Sequence, residues 1–499
     1  MRPELMNGHH IHPAPSATDG GRLGNASPDF SSANLHRSIN VCSAGGGVHF
    51  MGVGGIGMSG LAAILKERGL SVSGCDVSRK DPPASLRECG IGVFRGHHPA
   101  HLSDEVGLVV FSSAVSEQEP ELVAARARGI PTISRGELLS ELASTARLVA
   151  VAGAHGKTTT SGMSAQLLIH AGWDPTAVVG GHVVSIGSNA RHGRGAYLVA
   201  ETDESDGSFL LLHPEVAIVT NLDREHLNYY QTFDRLVAAF QQFVRQLGPT
   251  GTLIRCQDDP VAREALMHPR QVGYGIEAPA DVTATRVACR SAGSEFTASY
   301  RGHRLGTFRL QVPGRHNVLN ALGVISLGLV LDLPLAVIRD ALWSFQGTLR
   351  RYQALRLPRE TCFIEDYAHH PSEIRATLGV DVSRERHRLA VFQPHRFSRV
   401  QRLEQDFAGC FNTVDGVIVT DVYSAFESPI PGISGARLAQ LIKAQGHPCV
   451  RYVPREELPR FLVDFIQPHD LVFFLGAGDI GQVCHDVAER WRAIDGTSR

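Results

Sequence analysis

Twice in this chain a short apolar run ends in a glycine-rich loop that opens onto a helical pattern. Gly47-Val48-His49-Phe50-Met51 runs into Gly52-Val53-Gly54-Gly55-Ile56-Gly57, with Leu61, Ala62 and Leu65 on one face of the helix that follows. Leu148-Val149-Ala150-Val151-Ala152 runs into Gly153-Ala154-His155-Gly156-Lys157-Thr158-Thr159-Thr160. A strand feeding a helix through a tight turn is half of a β-α-β unit, so the chain is constrained to parallel sheets covered by helices.

The first loop has G-x-G-x-x-G spacing. Glycines there let backbone N–H groups approach a diphosphate at the helix N-terminus. Asp76 ends the next strand, Leu70 to Asp76, where a carboxylate could accept hydrogen bonds from ribose-type hydroxyls. The pattern fits any dinucleotide or nucleotide-sugar binder, with an NAD-dependent enzyme or a turn needed only for packing as the alternatives. The second loop resembles a P-loop but has Val151 where the full spacing has its first glycine. Its physics survives: backbone N–H groups cradle phosphates, Lys157 neutralises β/γ oxygens, and the Thr158 hydroxyl faces Mg²⁺. Two phosphate loops imply two phosphorylated ligands, which weakens a simple dehydrogenase.

At 499 residues, and roughly 150 residues per domain, about three domains are expected. Residues 1–45, rich in Gly, Ser, Pro, Asn and His, read as a disordered arm; 46–146, 147–346 and 347–499 read as three successive units. Strand patterns recur at Tyr197–Ala200, Val216–Thr220, Cys362–Glu365, Leu389–Phe392, Gly416–Thr420 and Leu471–Leu475. Residues 281–312 alternate like antiparallel strands, and Asn317–Leu331 reads as an apolar helix. The fold class is α/β in three domains, the first and third Rossmann-like and the central one P-loop-like.

A formal charge of −2 offers nothing to nucleic acid or an anionic membrane surface. No apolar run approaches the roughly 18 residues of a membrane span, and Met1–Pro15 lacks the apolar stretch of a signal peptide. A cytoplasmic protein is expected. The nine cysteines are scattered without a C-x-x-C pair, which suits free thiols better than a disulfide framework or a zinc site. Only four of the 48 Lys and Arg residues are lysines, and Lys157 is the one retained within the second glycine loop. The sequence leaves oligomeric state open.

Glu201-Thr202-Asp203-Glu204-Ser205-Asp206 follows a strand, and four carboxylates so close repel one another unless solvated or facing a cation such as Mg²⁺. Thr220-Asn221-Leu222-Asp223-Arg224-Glu225-His226 also follows a strand, so His226 could reach the same sheet end. In the third unit, Arg350-Arg351, Asp366 with His369-His370, and Pro394-His395-Arg396 with Arg399 form cation-rich loops suited to phosphate or carboxylate. Gly476-Ala477-Gly478-Asp479 follows the last strand as a tight turn.

With these residues in place, the chain resembles the Mur ligase family from about Gly47 to about Glu489. The resemblance rests on GVGGIGMSGLA (52–62), GAHGKTTT (153–160), ETDESDGSF (201–209), RHNVLNA (315–321), DYAHHPSEI (366–374), QPHRFSR (393–399) and GAGDI (476–480). It implies three α/β domains, the first holding a UDP-sugar, the second ATP, and the third closing over both and admitting an amino acid. It implies ATP-dependent amide formation through an acyl phosphate, with Mg²⁺, between UDP-N-acetylmuramate and L-alanine in peptidoglycan precursor synthesis.

By the same resemblance, Gly52, Gly54, Gly55, Gly57 and Asp76 belong to the UDP-sugar site. Gly153, His155, Gly156, Lys157, Thr158, Thr159, Asn317, Asn320, Arg351 and Asp366 belong to the ATP site. Thr158, Glu201 and His226 are implied metal residues, and Lys157, Glu201, His226 and Arg351 the catalytic set. Tyr367, His369, His395, Arg396 and Arg399 fall at the amino-acid end. The sequence departs from the family at Ala154 (usually Thr), Glu225 and Asn228 (Asp), Ala368 (Gly) and Phe397 (Tyr); the last two bear on amino-acid choice. A family member that attaches a recovered tripeptide would be expected to differ in the first glycine loop. A catalytically silent nucleotide-binding regulator is opposed by the intact Lys157, Thr158, Glu201 and His226.

Overall fold

The structure, a computed structural model, describes residues 46–496 apart from 79–80, 381–385 and 426. The expected disordered arm, 1–45, lies outside the described residues, as does Lys80.

Strands buried on both faces read as unbroken apolar runs, and such runs form the centre of each of three sheets. The first sheet holds β1 (Gly47–Met51), β2 (Val72–Asp76), β3 (Gly92–Arg95), β4 (Val106–Phe111) and β5 (Thr132–Ser134), all parallel, in the order β3-β2-β1-β4-β5. The second contains β6 (Arg147–Ala152), β7 (Thr176–Val183), β8 (Ser188–Arg191), β9 (Tyr197–Glu201), β10 (Val216–Val219), β11 (Thr252–Cys256) and β12 (Gln271–Gly275). It ends in an antiparallel extension of β13 (Val282–Arg290), β14 (Gly293–Tyr300) and β15 (His303–Leu310). Its order is β15-β14-β13-β12-β11-β10-β6-β9-β7-β8. The third holds β16 (Gln353–Arg356), β17 (Cys362–Asp366), β18 (Arg388–Phe392), β19 (Gly416–Val419), β20 (Val450–Tyr452) and β21 (Leu471–Leu475), in the order β16-β17-β21-β18-β19-β20.

Ligands of open α/β sheets bind beyond the carboxyl ends of strands, where the strand order reverses. The first glycine loop follows β1 at the β1/β4 switch, and the second follows β6 between β10 and β9. Helices Ile56–Glu67 and Lys157–His170 start at Gly55 and Gly156, neither of which offers a capping side chain. Their first-turn N–H groups are therefore left for a ligand.

The first and second sheets share one apolar cluster, in which Leu138 and Leu142 join Phe209 and Phe240. The third sheet has a cluster on each face, around Ile364 and Phe392 on one side and Phe363 and Phe474 on the other. No described helix is long and apolar enough to cross a membrane. All eight described cysteines are free.

The apolar runs place the central strands to within two residues. The short edge strands β3, β16 and β20 escape a sequence reading because they are half exposed and carry no apolar run. The hairpin of β7 and β8, and β11 and β12, also lie beyond what was expected.

Candidate active site

The second glycine loop is shaped by close backbone approach. Gly156 has φ +81°, and a Cβ there would lie 2.5 Å from Asn320 Oδ1. Gly153, at φ +132°, has its would-be Cβ against Thr220 Oγ1. These positions favour glycine on both counts. Lys157 Nζ donates to Gly153 O at 2.5 Å, to Ala154 O at 3.2 Å and to Glu204 Oε1 at 2.6 Å. Burial works against its charge, but Glu204 and Glu201 hold its pKa above the ordinary lysine value.

Thr158 Oγ1 donates to Glu201 Oε1 at 3.0 Å, and Gly180 N donates to Glu201 Oε2 at 2.5 Å. Burial raises the Glu201 pKa against the pull of Lys157, which marks a carboxylate short of positive charge. Two hard oxygens side by side suit Mg²⁺, and the helix N-terminus beside them suits phosphate. Glu204 Oε2 is buried without a hydrogen-bond partner, a further acceptor open to a cation. His226, at φ +55°, is turned toward Glu204 at 3.5 Å and Glu225 at 3.6 Å. Of the three expected metal residues, Thr158 and Glu201 touch, while His226 stands on Glu204.

The loop is tied to the third unit through His155. Its Nε2 lies 3.0 Å from Asp223 Oδ2 and its Nδ1 3.3 Å from Glu373 Oε1. Burial disfavours its cation, but hydrogen bonds to Asp223 and Glu373 lift the pKa to about 10. Glu373 also faces Arg351 at 3.5 Å and His369 at 3.3 Å. Despite burial, His369, His155 and Arg351 hold the Glu373 carboxyl well below the usual range. Arg399 Nη2 lies 3.6 Å from Glu225 Oε1, a second bridge between units.

Two cavities meet at this loop. A cavity of about 230 Å³ is walled by Tyr274, Cys256, Val312 and His316, with Asn317, Asn320 and Asp366 among its polar groups. His155, Gly156, Thr158, Thr159 and Arg351 also line it. Asp366 accepts Tyr352 N at 2.9 Å and Ala368 N at 2.7 Å, and burial pushes its pKa up to about 6. A larger cavity of about 730 Å³ is lined by Gly55 and Gly57, by Lys157, Glu201 and His226, and by Arg351, Tyr367, His369 and Arg399.

The remaining expected residues lie outside these walls. Gly54 N donates to Asp76 Oδ2 at 2.8 Å and Ser78 N to Asp76 Oδ1 at 2.7 Å, so the Asp76 carboxylate holds the glycine loop itself. Gly52 turns at φ +79° with its N–H on Cys75 O. His395 is stacked on Tyr423 and accepts from Arg399 Nη1 at 3.2 Å, behind the cavity wall. Burial and neighbouring cations drop its pKa to about 3, so it is neutral. Arg396, at φ +67°, lines a separate pocket of about 210 Å³ beside His370.

Sequence reading singled out neither Glu373 nor Arg135 and named Tyr274 not at all. Glu373 reads as the capping-box carboxylate of helix Pro371–Leu378, which it also is. Arg135 follows a helix cap and reaches Asp203 at 2.8 Å, from the first unit to the second. Tyr274 lies next to the end of β12, one of the strands not foreseen.

Three family descriptions match the chain in succession: "Mur ligase family, catalytic domain" over residues 47–147, "Mur ligase middle domain" over 151–328, and "Mur ligase, glutamate ligase domain" over 350–478. The UDP-N-acetylmuramate–L-alanine ligase of Anaeromyxobacter dehalogenans is 46% identical over 436 residues, 87% of this chain and 95% of that one. The ligase of the same name from Solibacter usitatus is 45% identical over 450 residues, 89% of this chain and 95% of that one. A crystal structure of UDP-N-acetylmuramate–alanine ligase from Thermotoga maritima superposes with a TM-score of 0.78 at 31% identity, covering 90% of this chain and 99% of that one.

Proposed function

Because the chain belongs to the Mur ligase family, we propose that it joins UDP-N-acetylmuramate to L-alanine in peptidoglycan precursor synthesis, converting ATP to ADP and phosphate. The observation that carries this reading is the larger cavity, to which loops after all three sheets contribute. A carboxylate, a γ-phosphoryl group and an amine must meet in one place, and this is a place where three binding surfaces meet.

The three units, 46–146, 147–346 and 347–499, serve the UDP-sugar, ATP and the amino acid respectively. Gly55 and Gly57 offer backbone to the diphosphate, while Gly52, Gly54 and Asp76 fix the shape of that loop. Adenine enters the smaller cavity beside Asn317, Asn320 and Tyr274, with Asp366 toward the ribose. His155, Gly156, Lys157, Thr158 and Thr159 surround the phosphates. Mg²⁺ held by Thr158 and Glu201, with Glu204 and His226 behind them, would neutralise phosphate charge.

An oxygen of the lactyl carboxylate attacks the γ-phosphorus, the bond to the β–γ bridging oxygen breaks, and ADP leaves. Lys157 and Arg351 stabilise the charge on the transferring group, so catalysis is mainly positioning and electrostatics. The L-alanine amine then attacks the acyl carbon of the acyl phosphate, phosphate leaves, and the nitrogen gives up a proton. Tyr367, His369 and Arg399 face the cavity at this end, His369 being neutral because burial drops its pKa to about 4. Closure of the third unit over the site excludes the water that would hydrolyse the acyl phosphate. We place the reaction in the cytoplasm, where both nucleotides are available.

The test is phosphate release by the purified chain with ATP, Mg²⁺ and UDP-N-acetylmuramate, comparing L-alanine, the tripeptide and no amine. Release requiring both the sugar and L-alanine is expected. Release with the tripeptide alone would move the chain to the recycling branch of the family, and silence with every amine would overturn the reaction.

A further inference from the structure

Away from the nucleotide cavities, the first unit buries four groups of metal-ligand type around one point. His49 on β1, Cys75 on β2, His101 in the turn Pro99–His101 and Glu121 in the helix Pro120–Ala127 each direct a donor atom inward, all within 4.8 Å of one another. His49 and Cys75 are fully buried, as is Glu121, and the His101 side chain is 14% exposed. His49 Nε2 lies 3.0 Å and His101 Nδ1 3.3 Å from Glu121 Oε1, and Cys75 Sγ lies 3.2 Å from Glu121 Oε2. Yet His49 Nε2, His101 Nδ1 and Glu121 Oε1 have no hydrogen-bond partner of acceptable geometry. Three buried polar atoms that meet at ion-pair distance but without well-aligned hydrogen bonds leave donor capacity that an ion can use.

Donor atoms around one tetrahedral zinc ion lie about 3.3–3.7 Å apart, given Zn–N near 2.0–2.1 Å and Zn–S near 2.3 Å. The separations of 3.0 and 3.3 Å to Glu121 Oε1, and of 3.2 Å from Cys75 to Oε2, lie at or just below that range, with all four donors within 4.8 Å. We propose that His49, Cys75, His101 and Glu121 form a structural binding site for a zinc-class divalent cation. Two imidazoles, a thiol and a carboxylate make a borderline-soft set, suited to zinc or cobalt and unsuited to Mg²⁺. Binding converts the Cys75 thiol to thiolate and releases its proton to solvent.

The supporting shell is present. His49 Nδ1 is held by Ser73 Oγ at 2.9 Å, which aims Nε2 at the centre, and His97 Nδ1 lies 3.0 Å from Cys75 Sγ. His98 N donates to Glu121 Oε2 at 2.9 Å. The ion would join β1, β2, the turn and the helix directly beneath the first glycine loop, since Asp76, next to Cys75, holds Gly54 N. Ligands at 49, 75, 101 and 121 have no short spacing, so an absence of paired cysteines says nothing about such a site.

The test is titration of the metal-free full chain with Co²⁺, followed by absorption. One equivalent is expected to give tetrahedral d–d bands and a thiolate-to-cobalt charge-transfer band, displaced by Zn²⁺. Cys75→Ser is expected to abolish the charge-transfer band, and His101→Gln to weaken Co²⁺ binding at least about tenfold. The histidines of the first twelve residues and the oxygens of the nucleotide site can bind Co²⁺ but give no thiolate band. Zn²⁺ should raise the melting temperature of the wild type and not of Cys75→Ser. A folded wild type without the charge-transfer band, or Cys75→Ser retaining it, overturns the proposal and leaves a protonated hydrogen-bonded network.

Discussion

Lys157 Nζ and Glu204 Oε1 lie 2.6 Å apart, so the cation of the second glycine loop is paired with a carboxylate. Their side chains are only 15% and 3% exposed. Under the proposed assignment a phosphate would compete with this carboxylate for the ammonium, which Glu204 keeps within the loop. Removing either partner alone leaves a buried charge.

Lys157→Ala is expected to lower kcat by roughly 10²–10³, the size seen when one preorganised charge stabiliser is lost. It should also lower stability by about 3–5 kcal/mol, because Glu204 is left buried and uncompensated. The double variant Lys157→Ala/Glu204→Gln separates the two effects. Its melting temperature should recover while its turnover stays low; recovery of both would remove Lys157 from phosphate handling.

The His155 cluster sets a pH dependence of stability. Its folded pKa, about 10, exceeds the ordinary value of about 6.5, so its contribution is complete below about pH 6.5 and fades as pH rises toward 10. Asp223 and Glu373 are shifted down, so their contribution is complete above about pH 4.5 and lost on acidification. The gap in melting temperature between wild type and His155→Ala should thus be widest between about pH 4.5 and 6.5 and shrink as pH rises to 10. A gap that does not change with pH would mean His155 acts by packing alone.

Both glycine loops and the central strands were legible because backbone physics writes them locally: an apolar run, then glycines where a side chain would collide. Thr158 lies just beyond β6 and Glu201 ends β9 of the same sheet, and the two were brought together in advance only by the family resemblance. Glu373 was not legible, because a capping-box Glu looks the same whether or not two cations from outside its helix, His155 and Arg351, converge on it. His395 and Arg396 sit in the same motif as Arg399, yet only Arg399 reaches the central cavity, since side-chain direction is set by the left-handed turn at Arg396. Asp76 was placed correctly at its strand end, but its oxygens meet Gly54 and Ser78, a contact that sequence cannot distinguish from a ribose contact.

Gly180 offers a test of Glu201 that leaves Glu201 in place. A Cβ at position 180 would lie 2.5 Å from Glu201 Oε1, and the Gly180 N–H is one of the bonds that orient this carboxylate. Gly180→Ala is expected to displace the carboxylate from Thr158, raising the Mg²⁺ concentration needed for half-maximal activity by about tenfold. Glu201→Gln should shift the same curve in the same direction. An unchanged Mg²⁺ dependence in both would remove Glu201 from the metal site.

Arg399 is the residue whose substitution best separates amino-acid binding from cohesion between units. It faces the cavity, donates to His395 at 3.2 Å and lies 3.6 Å from Glu225. Burial would raise the Glu225 pKa, but Arg399 and His155 bring it to about 2, so the pair is ionised at neutral pH. A guanidinium already held at both sides is a preorganised fork for a substrate carboxylate, and lysine cannot reproduce that geometry. Arg399→Lys is expected to raise the KM for L-alanine by roughly 10–100-fold, the equivalent of a charged hydrogen bond of about 1.5–3 kcal/mol. The KM for ATP and for UDP-N-acetylmuramate should stay within about twofold, because the polar contacts of Arg399 are to His395 and Glu225 rather than to either glycine loop. Glu225→Gln loosens the bridge but keeps the fork, so it should affect all three substrates alike and only modestly. If Arg399→Lys instead raises all three KM values together, the residue works as the clasp between the second and third units, and the amino-acid carboxylate is held elsewhere.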